Sequence, residues 1–160
     1  MSIITIGNLP RMSRDTLSAL LLSTSSPSKL AIIDVRDSGS SLLPPHRTLP
    51  PSNHKTDHVG GHISTSTWIP SSSLEVHLPE LIRTLKDKEK VVFHCALSQQ
   101  RGPSAALRYA RERERVLGAE AATSGQEVFV LEGGFVEWQE KYGKDVRLTE
   151  AYAEDVWQMY

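Results

Sequence analysis

Along the chain, short β-branched apolar runs alternate with segments of helical period, the pattern of βα units and a mostly parallel sheet. Ser2 to Ile6 reads as a first strand, and Ser13 as the cap of a helix whose apolar stripe includes Leu17, Leu20 and Leu21. Leu30 to Val35 has the continuous apolar character of a buried strand, and Ser64 to Pro70 that of a short strand ended by its proline. Leu78 to Leu85 carries Leu81, Ile82 and Leu85 at helical spacing, with Pro79 suited to the first turn. Lys90 to His94 is a strand that runs directly into Cys95, and Ala105 to Leu117 has the composition of a helix entered through Pro103. Glu127 to Leu131 is a further strand, Phe135 to Tyr142 a helix, and the tail from Thr149 a last helix capped by Thr149 and anchored by Trp157.

Between these elements, residues 38–57 are rich in Ser, Pro and His, and Pro44, Pro45, Pro50 and Pro51 forbid regular structure. This stretch reads as a long surface loop, either mobile or a partial cover for a site. The 160 residues suit a single domain spanning 1–160 with one core. A net charge of −1 gives no overall basic field, so neither nucleic acid nor an anionic membrane is expected as a partner. The absence of a long apolar run or a signal-peptide pattern points to a cytoplasmic or nuclear protein. The chain has one cysteine, which excludes an internal disulfide and leaves a free thiol in a reducing compartment.

The chemistry concentrates in His94-Cys95-Ala96-Leu97-Ser98-Gln99-Gln100-Arg101-Gly102-Pro103, which joins a strand to a helix with five residues between Cys95 and Arg101. A loop of that size can curl so that successive backbone N–H groups converge on one point at a helix N-terminus, forming an anion nest. Cys95 at its base feels those dipoles and Arg101, which favours the thiolate over the thiol and makes it a candidate nucleophile. Arg101 supplies a planar fork for two phosphoryl oxygens, which a lysine would not reproduce. Gly102 permits a tight turn, and Pro103 loses nothing where the first helical N–H groups face the nest. Ser98 is placed to donate to the sulfur or to a ligand oxygen, and His94 to fix the loop from beneath.

These ten residues do not stand alone. Together with Ile32-Ile33-Asp34-Val35-Arg36, Gly60-Gly61-His62-Ile63 and Leu131-x-Gly133-Gly134-Phe135-x-x-Trp138, they resemble the cell-division-cycle dual-specificity phosphatases and their small fungal relatives, among them arsenate reductases. The resemblance runs in the same order from about Ala31 to Trp138. It implies a rhodanese-like three-layer α/β/α fold with a central, mostly parallel five-stranded sheet. It also implies Cys95 as the nucleophile that forms a phosphocysteine, Arg101 as the phosphate clamp, and the N–H groups of Ala96, Leu97, Ser98, Gln99, Gln100 and Arg101 as the phosphate cradle. Asp34 then belongs to a buried charge network, with a structural role foremost and a direct role in catalysis as the alternative, and Gly60-Gly61-His62-Ile63 to a structural turn.

Two departures from the family pattern stand out. Many cysteine phosphatases place a hydroxyl residue directly after the loop arginine, where this chain has Gly102, so help for the departing thiolate must come from elsewhere. The cell-cycle enzymes place a carboxylate inside the loop, where this chain has Gln99 and Gln100. General-acid catalysis is worth about 10²- to 10⁴-fold, so its source matters, and Glu75, Glu80 and Glu132 are the outside candidates.

The expected activity is therefore a cysteine-dependent phosphatase acting on a phosphorylated protein or small phosphate ester, with no cofactor. Arsenate reduction is the alternative; with a single cysteine it needs glutathione or a glutaredoxin-like partner as external reductant. Sulfur transfer fits less well, because rhodaneses usually carry a loop one residue shorter, and a non-enzymatic module does not explain Cys95 and Arg101 together. His58 and His62 have the spacing of a helical metal pair, but Gly60 and Gly61 oppose that helix, and no metal is expected. The Arg108, Arg111, Arg113 and Arg115 run, interrupted by Glu112 and Glu114, reads as a solvated helix face, with a phosphoprotein docking patch as the alternative.

Overall fold

The computed structural model describes residues 4–23, 29–37, 60–123 and 125–157. The stretch 38–57 read as a surface loop lies outside the described residues. In chain order the elements are β1 (Arg11–Met12), α1 (Arg14–Leu22), β2 (Leu30–Asp34), β3 (His62–Ile63), β4 (Thr67–Trp68), α2 (Leu74–Thr84), β5 (Lys90–His94), α3 (Arg101–Leu117), α4 (Ala119–Thr123), β6 (Glu127–Leu131), α5 (Gly134–Tyr142), β7 (Thr149–Glu150) and α6 (Glu154–Trp157). A five-stranded sheet runs in the order β1-β6-β5-β2-β4 with every pair parallel, and β3 and β7 form a separate antiparallel pair.

Because β5 lies at the centre with helices over both faces, its residues are apolar without alternation, as parallel strands buried on two sides require. Their side chains nevertheless alternate between two cores. Val91 and Phe93, with Ile33 and Val35 of the β2 segment, pack against Leu78, Leu81 and Ile82 of α2 and Ala106 and Tyr109 of α3. Val92, with Leu30 and Ile32, packs against Leu17 of α1, Phe135 and Trp138 of α5, and Trp157. Three layers result. Each large side chain fully buried this way contributes roughly 1.5–3 kcal/mol, and Cys95 continues the first core just past the end of β5.

Local rules explain the ends of several elements. Ser13 caps α1 by accepting the Thr16 N–H at 3.1 Å. The first strand is not Ser2 to Ile6: Ile6–Asn8 is a 3-10 turn, and the sheet edge is Arg11–Met12. There the Asn8 side chain accepts the Thr5 N–H at 2.8 Å, a local bond that competes with extended pairing. Helix α2 begins at Leu74 rather than Leu78, after a 3-10 turn at Ser71–Ser73. Pro79 therefore sits inside the helix and not in its first turn. It is tolerated on an exposed face, where water can satisfy the carbonyl its missing N–H leaves unmatched.

Helix α3 likewise begins four residues earlier than expected, so that Arg101 is its first residue and Pro103 its third. The arginine run on α3 is not uniformly solvated. Arg113 is buried and donates to the Ala121 carbonyl at 3.4 Å, while Arg111 donates to the Ile4 carbonyl and Arg115 pairs with Glu112. Thr149 does not cap a helix: it sits in β7, its hydroxyl donating to the Tyr142 carbonyl at 2.7 Å and accepting the Trp138 indole N–H at 3.0 Å. Trp157 does anchor the tail, donating to the Gly60 carbonyl at 3.0 Å. Gly60 has φ 81°, and a Cβ there would lie 2.5 Å from the Trp157 ring nitrogen, so this contact needs glycine. No helix among the described residues is long and apolar enough to cross a membrane.

Candidate active site

The end of β5 and the start of α3 bracket the loop 95–100. Cys95 is buried, and its Sγ accepts two backbone N–H groups, from Ser98 at 3.2 Å and Gly102 at 3.3 Å. Gly102 was not among the expected cradle donors, and the early start of α3 is what turns its N–H inward. Among the described residues, the N–H groups of Ala96, Leu97, Gln99 and Gln100 meet no backbone carbonyl. Leu97, Gln99, Gln100 and Arg101 carry exposed side chains, whereas Ser98 is fully buried at φ 55°.

The back of the loop is held by α5. Phe135 N–H donates to the Cys95 carbonyl at 3.0 Å and Val136 N–H to the Ala96 carbonyl at 2.9 Å. These are orphan donors of a helix N-terminus satisfied by the loop. The approach depends on Gly134, at φ 61°, where a Cβ would stand 2.4 Å from the Ala96 oxygen. The second glycine of Leu131-x-Gly133-Gly134 thus has a physical cause. His94 is buried beneath, its Nδ1 bonded to the Cys95 carbonyl at 3.1 Å; a carbonyl only accepts, so Nδ1 carries the proton. Its ring stacks on Phe135 with centroids 6.3 Å apart. On the outer side, Arg11 reaches across from β1 to donate to the Ser98 carbonyl at 3.2 Å and pairs with Glu132 at 3.5 Å.

Asp34 lies beside His94 in the β2–β5 register and is fully buried. Its carboxylate takes the Arg36 guanidinium at 2.6 Å and also the Arg36 N–H at 3.0 Å. Arg36 donates onward to the Gly61 carbonyl at 2.7 Å and lies 4.4 Å over the Phe135 ring, joining the β2 end to α5 and to the Gly60-Gly61 turn. His62, which follows that turn as the first residue of β3, pairs with Glu150 of β7 at 2.9 Å; His58 lies outside the described residues.

One residue passed over in the sequence stands next to the site. Asp37 faces Arg101, with 3.3 Å between Oδ2 and Nη1. Burial pushes its carboxyl up, but the Ser71 hydroxyl, the Ser72 N–H and the Arg101 charge together hold it below the usual carboxylate range. Asp37 is therefore an anion at neutral pH, suited to holding Arg101 and unsuited to donating a proton. The only signal in the sequence was its place one residue beyond Ile32-Ile33-Asp34-Val35-Arg36. Of the expected outside acids, Glu75 lies 4.0 Å from Arg108, Glu132 meets the loop only through Arg11, and Glu80 is exposed on α2. Among the described residues, the partners of Cys95 Sγ are the Ser98 and Gly102 N–H groups and none of these three carboxylates. Beside Arg101, a groove of about 300 Å³ is lined by Ser71, Leu74, Gln100, Arg101, Ser104 and Arg108, among others.

The rhodanese-like domain model matches residues 15–141, which covers most of the chain and includes the loop from Cys95 to Gly102. The chain belongs to the rhodanese-like domain family. Within it, this rhodanese-like chain is 40% identical over 113 residues to a CDC25-like phosphatase of Saccharomyces cerevisiae, covering 64% of this chain and 72% of that one. It is 35% identical over 132 residues to arsenate reductase 2.1 of Oryza sativa subsp. japonica, covering 82% and 69%. Among solved structures, it superposes on a yeast protein tyrosine phosphatase of the rhodanese family with TM-score 0.68 and 31% identity, over 98% of this chain and 99% of that one. An As-Sb reductase from Leishmania major superposes with TM-score 0.64 and 30% identity, over 86% and 81%. The chain thus sits among the rhodanese-like enzymes that include Cdc25-type phosphatases and arsenate reductases.

Proposed function

We propose that this protein is a cysteine-dependent phosphatase of phosphotyrosine or related aryl phosphate esters, working through a phosphocysteine. The observation that carries the reading is the Cys95 sulfur held by two inward N–H groups, with Arg101 on the first turn of the helix beside it. The thiolate attacks phosphorus in line, the P–O bond breaks, and its electron pair leaves on the ester oxygen. Arg101 grips two equatorial oxygens, exchanging Asp37 for the phosphoryl group. Water then attacks the phosphocysteine, the S–P bond breaks, and its electron pair returns to sulfur.

The choice of aryl esters follows from the missing acid. Gln99 and Gln100 cannot donate as a carboxylic acid does, and Asp37 is ionised. A phenol, with pKa near 10, departs without much protonation, whereas an aliphatic alcohol does not. Leu97, half exposed on the loop, offers apolar surface to such a ring. The groove running from Arg101 to Arg108 gives a phosphorylated protein segment or a small ester somewhere to lie.

Similarity to arsenate reductases from rice and Leishmania supports a second reading on the same loop. Arsenate has nearly the size and charge of phosphate. Its reduction to arsenite consumes two electrons from thiols, and the chain has one cysteine, so glutathione or a glutaredoxin-like protein would supply the rest. Hydrolysis of para-nitrophenyl phosphate and thiol-dependent arsenate reduction, followed in parallel for the wild type and Cys95→Ser, separate the two. Cysteine-dependent phosphate release without arsenate turnover supports the phosphatase. Dominant arsenate turnover replaces it with the reductase, and silence in both overturns oxyanion chemistry at Cys95.

A further inference from the structure

The loop encloses a hydroxyl with nothing to bond. Ser98 is fully buried, and its Oγ has no hydrogen-bond partner among the described residues. Buried hydroxyls are nearly always partnered, and one left alone marks either an empty seat or a working part. The backbone reinforces the point. Ser98 stands at φ 55°, a conformation uncommon for residues other than glycine, and its N–H is one of the two donors to Cys95 Sγ.

The other donor is Gly102, the residue after the loop arginine, where many cysteine phosphatases carry a hydroxyl. A Cβ placed on Gly102 would lie 3.3 Å from Ser98 Oγ, 3.3 Å from the Cys95 nitrogen and 3.4 Å from His94 Cα. Ser98 Oγ thus borders the space into which a side chain at 102 would project. Both N–H donors to sulfur flank the same space.

We propose that Ser98 supplies the catalytic hydroxyl that the position after Arg101 lacks, donating a hydrogen bond to the Cys95 sulfur as it leaves phosphorus. The inference rests on the phosphatase reading above. In the resting enzyme the two N–H groups hold the sulfur. During hydrolysis of the phosphocysteine, water oxygen bonds to phosphorus, the S–P bond breaks, and the electron pair settles on sulfur. Rotation of the Ser98 side chain brings its O–H to that growing negative charge. No proton is transferred; the serine keeps its hydrogen, and the thiolate is stabilised for the next cycle.

The test compares wild type, Ser98→Ala and Ser98→Gly, the glycine variant relieving the positive φ so that misfolding of the alanine variant does not decide the result. Rapid mixing with para-nitrophenyl phosphate reads nitrophenol release, and acid quench with labelled phosphate traps the phosphocysteine. Loss of the hydroxyl should slow phosphocysteine hydrolysis by about 10- to 100-fold, the worth of one hydrogen bond to a charged group. In that case kcat and KM fall together, kcat/KM changes less, and a burst of nitrophenol close to one per Cys95 emerges.

Equal losses in kcat and kcat/KM, with no trapped intermediate, would overturn the proposal and leave Ser98 as a shaper of the loop. A rise in KM alone would also overturn it, assigning the hydroxyl to a phosphoryl oxygen. A wild-type enzyme silent toward phosphate esters would sink the phosphatase reading and the hydrolytic role with it.

Discussion

Two arginine–carboxylate pairs lie within a few residues of one another at the end of β2, and they are built differently. Asp34 and Arg36 are 0% and 5% exposed at their side chains, 2.6 Å apart, and tied further to Gly61 and Phe135. Asp37 and Arg101 are 27% and 45% exposed and 3.3 Å apart. A buried pair with satisfied lone pairs costs several kcal/mol to break from one side, while an open pair is worth about 0–1 kcal/mol and exchanges readily. The first pair is a rivet between β2, the Gly60-Gly61 turn and α5. The second leaves Arg101 loosely held and half exposed.

The largest expected effect comes from breaking the rivet. Asp34→Asn leaves the Arg36 charge buried without its counter-ion, which should cost about 3–5 kcal/mol. For a domain of this size that lowers Tm by about 6–20 °C in calorimetry, and an unchanged Tm would remove the distinction between the pairs. Next is Arg101→Lys, which loses the planar fork. It should lower kcat/KM toward para-nitrophenyl phosphate by about 10²- to 10³-fold, while Tm stays within about 2 °C.

Asp37→Asn sharpens the comparison in the opposite direction. Freed of its carboxylate, Arg101 should bind inorganic phosphate or vanadate about 3- to 10-fold more tightly, read as a lower inhibition constant, with little change in Tm. The smallest effect is in pH. The folded carboxyl of Asp37 lies below its ordinary value of 3.8. Its contribution to stability is therefore fully present above that value and is lost as pH falls through the folded one. Thermal melts of wild type and Asp37→Asn should run parallel from pH 5 to 8 and converge only in acid.

The parts of this molecule legible in the sequence obey short-range rules. Ser13 caps α1 because its hydroxyl meets an N–H three residues on, and Lys90 to His94 is a strand because a strand buried on both faces has no polar side. Cys95 and Arg101 were legible because their spacing and Gly-Pro exit form one local unit. What escaped depends on contacts between distant segments. Arg11–Met12 is too short to show any period and is a strand only because β6 pairs with it. Thr149 looked like a cap, but its hydroxyl is taken by Tyr142 and Trp138. Asp37 and Gly102 became part of the site only once α3 was seen to begin at Arg101.

The bonds from Phe135 and Val136 to the carbonyls of Cys95 and Ala96 have a consequence for how such a loop changes over evolutionary time. Every peptide plane has two ends, and a crevice hospitable to anions needs the oxygen end of each one turned outward and kept there. Here that task falls to a turn about forty residues downstream in the chain, which need never touch a substrate. Drift around Gly134 can shift the peptide planes of Cys95 and Ala96 while the signature loop stays letter for letter the same. Two relatives with identical loops can therefore differ in what they turn over, and the difference is to be sought behind the crevice as much as within it.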